Sequence, residues 1–280
     1  MTTKEWSCYE LIMPFKNTVE RTPWWLVSII ILALILLWNM VADESYQRIA
    51  SALSEGLLTT IGVTFSAFIL ASLLGLLIAL AGFSRHRILR EFARFYVEIF
   101  RGIPVLVLLF YIAFVGAPEM VKFYNWVLQI PIEAGWIEKA TTRDFSLLWR
   151  AIIALAISYS AFIAEVFRAG IQEVSKGQIE AAKALGLSNW HRFRLITLPQ
   201  AMRKILPPLG NDFVAMIKDS ALVSVLGVQD ITQLGKVFSS STFQFFETYN
   251  VVAFMYLVLT LSLSLLIRAF EAHLRRNDHH

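Results

Sequence analysis

The chain alternates long apolar blocks with shorter polar segments. Residues 24–42 (WWLVSIIILALILLWNMVA) carry no charged side chain, and about 20 apolar residues are what a helix needs to cross a bilayer. Residues 56–83 form a longer uncharged run, in which Gly62, Ala67, Ala71 and Gly75 are small enough to let helices approach closely in lipid. Further spans are expected at 99–116, 147–167, 207–228 and 249–267. The third is interrupted early by Arg101, Gly102 and Pro104. The fifth is the least apolar, because it holds Asp212, Lys218 and Asp219.

Lys and Arg are sorted between the connections. Residues 84–95 hold four (Arg85, Arg87, Arg90 and Arg94) and residues 168–206 hold seven (Arg168, Lys176, Lys183, Arg192, Arg194, Arg203 and Lys204). The 43–55 and 229–248 connections hold one each, Arg48 and Lys236, and Arg268, Arg275 and Arg276 follow the last span. By the positive-inside rule, 84–95, 168–206 and both termini are cytoplasmic, which alternates consistently through six spans. The 117–146 connection then lies outside. It has no charge bias, and its Tyr124, Trp126 and Trp136 suit short helices at a membrane surface.

Composition agrees: 57% of the 280 residues are hydrophobic and 16% charged, where a soluble domain is about half apolar and a quarter charged. The mean hydropathy is +0.60. The pI near 9.2 reflects orientation in the membrane, so no nucleic-acid partner is implied. One cysteine, Cys8, excludes a disulfide framework and a cysteine metal cluster. The first 22 residues are studded with charge and lack the apolar core of a signal peptide. His279 and His280 are assigned no role.

The connection around 173–200 is long for a compact bundle. Residues 178–185 (QIEAAKAL) are helix formers. Gly186 follows, where a left-handed stop is cheapest, and Ser188 is placed to cap a second helix, expected to end at Pro199. Helix, sharp corner and helix would present a rigid knob to the cytoplasm.

Glu180, Ala181, Ala182, Gly186, Ile196, Leu198 and Pro199 meet every spacing of the EAA loop, so this segment resembles that of ABC importer membrane subunits. The resemblance to polar amino-acid permeases covers most of 53–276. It includes Glu98, Phe100, Arg101, Gly102 and Pro104 and the strings AEVFRAGIQEVSKGQIEAA and NDFVAMIKDSALVSVLG. The span at 24–42 is additional, and the 117–146 loop is expanded.

The resemblance implies an all-α polytopic membrane bundle of about six transmembrane helices, N-in and C-in. It would comprise a cytoplasmic segment 1–23, an added helix and external loop 24–52, and a five-helix permease domain 53–276. It implies a coupling role for Glu180, Ala181, Ala182, Gly186 and Leu187 against two ATP-binding subunits. Ala181 and Ala182 would pack closely, and Glu180 would meet a cation. Other implied partners are a second permease subunit, with a heterodimer preferred over a homodimer, an external solute-binding protein and membrane lipid. The place is the bacterial inner membrane. ATP and Mg would be bound by the partners. No G-x-x-x-x-G-K-[ST] string, Cys/His metal spacing or nucleophile elbow occurs, so no cofactor, metal or catalytic residue is expected here. The alternative is an ion-coupled secondary transporter or channel acting without an ATPase.

Charges within spans are costly and tend to be functional. Lys218 and Asp219 follow Asn211 by about two helical turns, and Ser220 adds a hydroxyl. Asp219 suits a substrate ammonium and Lys218 a carboxylate; the other reading is an internal ion pair. Arg101 beside Gly102 and Pro104 is open to two readings, a ligand site at a loosened helix or snorkelling to lipid phosphate. Glu98 is spaced to pair with Arg101, and Glu165 with Arg168. Tyr159 and Ser160 stand midway through the fourth span, where they line a path or simply pack.

Overall fold

The computed structural model describes residues 24–276, and every regular element among them is helical. They fall into two compact units, residues 24–48 and 49–276.

In the first unit, α1 (Trp24–Ala42) has the bounds expected of the first span. Asp43 follows, and its carboxylate accepts the Ser45 N–H at 2.7 Å. An aspartate so placed satisfies an amide that lacks a partner in the helix, here at the start of α2 (Glu44–Gly82). From residue 44 on, the 43–55 stretch is therefore helix and not a loop. Its charges interrupt hydropathy without interrupting the backbone ladder.

In the second unit, α3 (Arg87–Gly102) occupies most of the arginine-rich 84–95 connection, which corrects its reading as a loop. Pro104 accounts for where α3 stops. The residue before a proline is pushed out of the helical region, and Ile103 is extended at φ −92°, ψ 128°. The third span starts only after this break, as α4 (Val105–Val127), rather than at residue 99. α4 absorbs a π turn, Ile112–Gly116, and continues through Pro118, so the first part of the 117–146 segment prolongs the span. A short α5 (Gln129–Glu133) follows.

Ser146 caps α6 (Leu147–Gln172) by accepting the Trp149 N–H. Then come α7 (Lys176–Ala184), α8 (Asn189–Arg192), a π turn Phe193–Thr197, and α9 (Leu198–Asp219), which passes into a 3-10 turn Ser220–Leu226. The connection after it holds α10 (Ile231–Thr242), and α11 (Phe245–Arg276) closes the fold. The helix expected to end at Pro199 does not end there. The widened π turn before Pro199 relieves the ladder where proline offers no N–H, and residues 189–219 run on without a break.

α6 is the central helix, with 67% of its most apolar window buried against 17% for α11. Four helices among the described residues are long and apolar enough to span: α2, α4, α6 and α11. α9 is not, because charges dilute it, but it packs between α6 and α11. The core joins Ala67 and Ala71 of α2, Leu109 of α4, Leu155 and Tyr159 of α6, and Met216 of α9. Gly75 explains how close α2 and α6 come: a Cβ there would lie 2.9 Å from the Ser160 carbonyl oxygen.

Candidate functional site

Two places carry the candidate residues. The first is the elbow between α7 and α8. Gly186 adopts φ +77°, a conformation that costs any residue with a Cβ. Its N–H bonds to the Lys183 carbonyl at 3.0 Å, and that of Leu187 to the Ala182 carbonyl at 3.1 Å. This pair of bonds is the Schellman helix stop. Ser188 accepts the His191 N–H at 3.4 Å, so the next helix is capped as its sequence indicates.

The elbow is anchored by Val174, Ala201 and Ile205, all buried, with Ile179 against them. Ala182 is buried within the elbow and Ala181 exposed, so the two alanines do not share one contact surface. An apolar hollow of about 290 Å3 opens between Ala181, Leu185, Leu187, Leu195 and Ile196. Leu185 in its lining is 81% exposed, and Trp190 of α8 is 63% exposed. Glu180 is exposed and, among the described residues, has no ion-pair partner.

The second place lies inside the bundle. The Tyr159 hydroxyl donates to Asp219 Oδ2 at 2.8 Å, joining α6 to α9. Asp212 lies two turns earlier on the same face of α9, with Oδ2 buried and without a hydrogen bond. The structure does not bring Asn211 and Lys218 to this cluster. Both are exposed on the neighbouring strip of α9, and no Lys218–Asp219 ion pair forms. Ser220 is fully buried and donates to the Ile217 carbonyl at 2.7 Å, within its own turn.

Arg101 lies one ring away, its guanidinium 5.5 Å from the centroid of Phe162, whose ring neighbours Tyr159 at 6.2 Å. It does not pair with Glu98 among the described residues. Glu165 and Arg168 do pair, with Arg168 Nε at 2.9 Å and its second contact at 2.5 Å. Ser160, beside Tyr159, bonds instead to the Tyr96 hydroxyl of α3 at 2.8 Å.

Two further polar residues escape a reading by spans. Arg150 is buried near the start of α6 and donates to the carbonyls of Phe145 at 2.8 Å, Ala113 at 3.1 Å and Thr142. A single cation within LLWRAIIALAISY is the signal that marks it. Asp230 caps α10 through the Gln233 N–H at 2.8 Å and accepts the Tyr256 hydroxyl at 3.0 Å. The D-x-x-Q spacing is a capping pattern visible in sequence.

A bundle whose central helices meet through buried polar groups, with a capped elbow at one end, has the build of a transport subunit. The chain belongs to the family of binding-protein-dependent transport system inner membrane components, whose model matches residues 71–276. It is the membrane-spanning permease subunit of an ABC importer, as the EAA-loop resemblance implies. It is 34% identical over 219 residues to a probable amino-acid permease protein, YxeN, of Bacillus subtilis, covering 78% of this chain and 89% of that one. It is 33% identical over 217 residues to a putative glutamine transport system permease protein, GlnP, of Rickettsia typhi, covering 78% and 90%. The crystal structure of an amino acid ABC transporter with histidines superposes with a TM-score of 0.68 at 36% identity, covering 82% of this chain and 97% of that one.

Proposed function

We propose that this permease moves amino acids, polar or charged ones, across the bacterial inner membrane. Two ATP-binding subunits, holding ATP and Mg, dock on the elbow around Gly186. A second membrane subunit completes the pathway, a heterodimer being preferred because α1 is an addition to the permease core. An external solute-binding protein delivers the substrate, and alternating access moves it.

The observation that carries the substrate class is the Tyr159–Asp219 contact with Asp212 behind it. A carboxylate held inside a membrane bundle with no ion-pair partner among the described residues is a costly group to keep. It suits the ammonium that every amino acid presents, with Tyr159 fixing the carboxylate in place. Glu180 and the hollow beside Ala181 supply the acidic and apolar parts of the docking surface.

The test is uptake into proteoliposomes carrying both membrane subunits, the ATPase and the binding protein. Uptake should require ATP, and Asp219→Asn should lower it about tenfold or more, the worth of one charged hydrogen bond. Uptake driven by an ion gradient with no ATPase present would overturn the reading.

A further inference from the structure

A cleft of about 430 Å3 opens where α2 and α6 finish against α3. Its floor is apolar: Ile78, Ala93, Val97 and Ala164 are all buried. Its rim carries Arg94, Arg101 and Arg168 with Glu98 and Glu165.

These charges are not equally engaged. Arg168 is closed onto Glu165 by two contacts. Arg94 reaches Glu91 at 3.4 Å with both side chains more than half exposed, and such surface pairs hold weakly. Arg101 has no carboxylate within ion-pair range among the described residues and rests over Phe162. Arg94 and Arg101 are seven residues apart, two turns along one face of α3. With Arg168 closed onto Glu165, Arg94 and Arg101 face the cleft beside Glu98 and that already paired carboxylate, so the opening favours an anion.

The rest of α3 says which anion. Ile88, Phe92, Phe95 and Ile99 form one stripe at i, i+4, i+7 and i+11, exposed by 84%, 55%, 65% and 42%. Arg87, Arg90, Arg94 and Arg101 lie on the other side of the helix. A short helix with an uncovered aromatic and aliphatic stripe opposite a basic face lies in the plane of a membrane surface. The Lys and Arg count puts that surface on the cytoplasmic side. At that depth α3 would hold the cleft at headgroup level.

We propose that the cleft holds the phosphate of an anionic phospholipid of the cytoplasmic leaflet, gripped by Arg94 and Arg101. Arg101 then serves lipid rather than substrate.

The test is native mass spectrometry of the full chain in detergent, titrated with phosphatidylglycerol or with phosphatidylcholine of the same acyl chains. The wild type should retain phosphatidylglycerol preferentially. Arg94→Gln with Arg101→Gln should lower that affinity about thirtyfold, from roughly one headgroup charge interaction per arginine. Arg94→Lys with Arg101→Lys should keep most of it. The proposal is overturned if the Gln variant binds phosphatidylglycerol as the wild type does, or if both lipids bind alike. It is also overturned if the Lys variant loses as much as the Gln variant, or if inorganic phosphate alone displaces the lipid.

Discussion

Arg150 is a buried cation with no carboxylate partner among the described residues, and it is held by geometry rather than by charge pairing. Its three carbonyl partners lie on the 142–145 loop and on the π turn of α4. A π turn disturbs the regular ladder, and the Ala113 carbonyl within it receives its donor from Arg150. Arg150→Leu should leave these carbonyls short of donors and destabilise the chain by about 3 kcal/mol, at 1–3 kcal/mol for each unsatisfied group. A lowered thermal unfolding midpoint in detergent is the expected result; an unchanged one would show that water replaces the arginine. Asp144 nearby differs, because it is fully solvated. Its carboxylate accepts the Thr141 N–H at 2.7 Å and the Thr141 hydroxyl at 2.8 Å, and the backbone bond above all holds its carboxyl below the ordinary range. The sign follows: a depressed acid stabilises its turn above the unfolded value of about 4 and loses that contribution as pH falls through the lower folded value. Exchange of the Thr141 amide should therefore gain protection at neutral pH relative to strongly acidic pH, after correction for intrinsic rates. At this scale the sequence says which residues are unusual, but not which are satisfied. Asp219 and Lys218 look equivalent in the string, and only the turn of α9 separates an inward carboxylate from an outward amine.

Among the elements, the elbow was the most legible, because its rules are local. Gly186, the Leu187 amide and the Ser188 cap act over a few residues, and each sits as its spacing requires. Gly186→Val should cost roughly 1–2 kcal/mol, the penalty of the left-handed conformation for a side chain, and should weaken ATPase association correspondingly. Pull-down of the ATPase at graded concentrations measures it; wild-type association would remove the elbow from the interface. Helix ends set by hydropathy were less legible. Charge marks where lipid stops, not where helix stops, so 43–55 and 84–95 read as loops by hydropathy although residues 44–55 and 87–95 are helical. Proline is legible at one site and not at the other. Pro104 breaks the chain between α3 and α4 because it forces Ile103 out of the helix. Pro199 does not break it, because the preceding π turn absorbs the missing donor. That difference depends on what each segment packs against, which no local window contains.

The continuity of residues 189–219 matters most for the whole molecule. At 1.5 Å per residue this rod is about 45 Å long. One end is the capped start of α8 in the elbow, and the other is Asp219 against Tyr159. A displacement of the elbow is therefore delivered to the polar cluster by one helix, without an intervening loop. Packing between α6 and α11 restrains the rod laterally, so its motion is that of a packed element rather than a fraying end. Pro207 and Pro208 lie within it and withhold two ladder donors, yet the helix persists through them. If the rod transmits force, softening it should separate ATP hydrolysis from transport without weakening docking. Ile196→Gly with Thr197→Gly places two flexible residues at the π turn, each costing about 1 kcal/mol of helix stability, while leaving Gly186 and Ser188 unchanged. In proteoliposomes, ATPase binding should stay near wild type, and the ATP hydrolysed per molecule transported should rise severalfold. An unchanged ratio would mean that the elbow reaches the Tyr159–Asp219 cluster by another route, through α6 and the packed Val174, Ala201 and Ile205, rather than along α9.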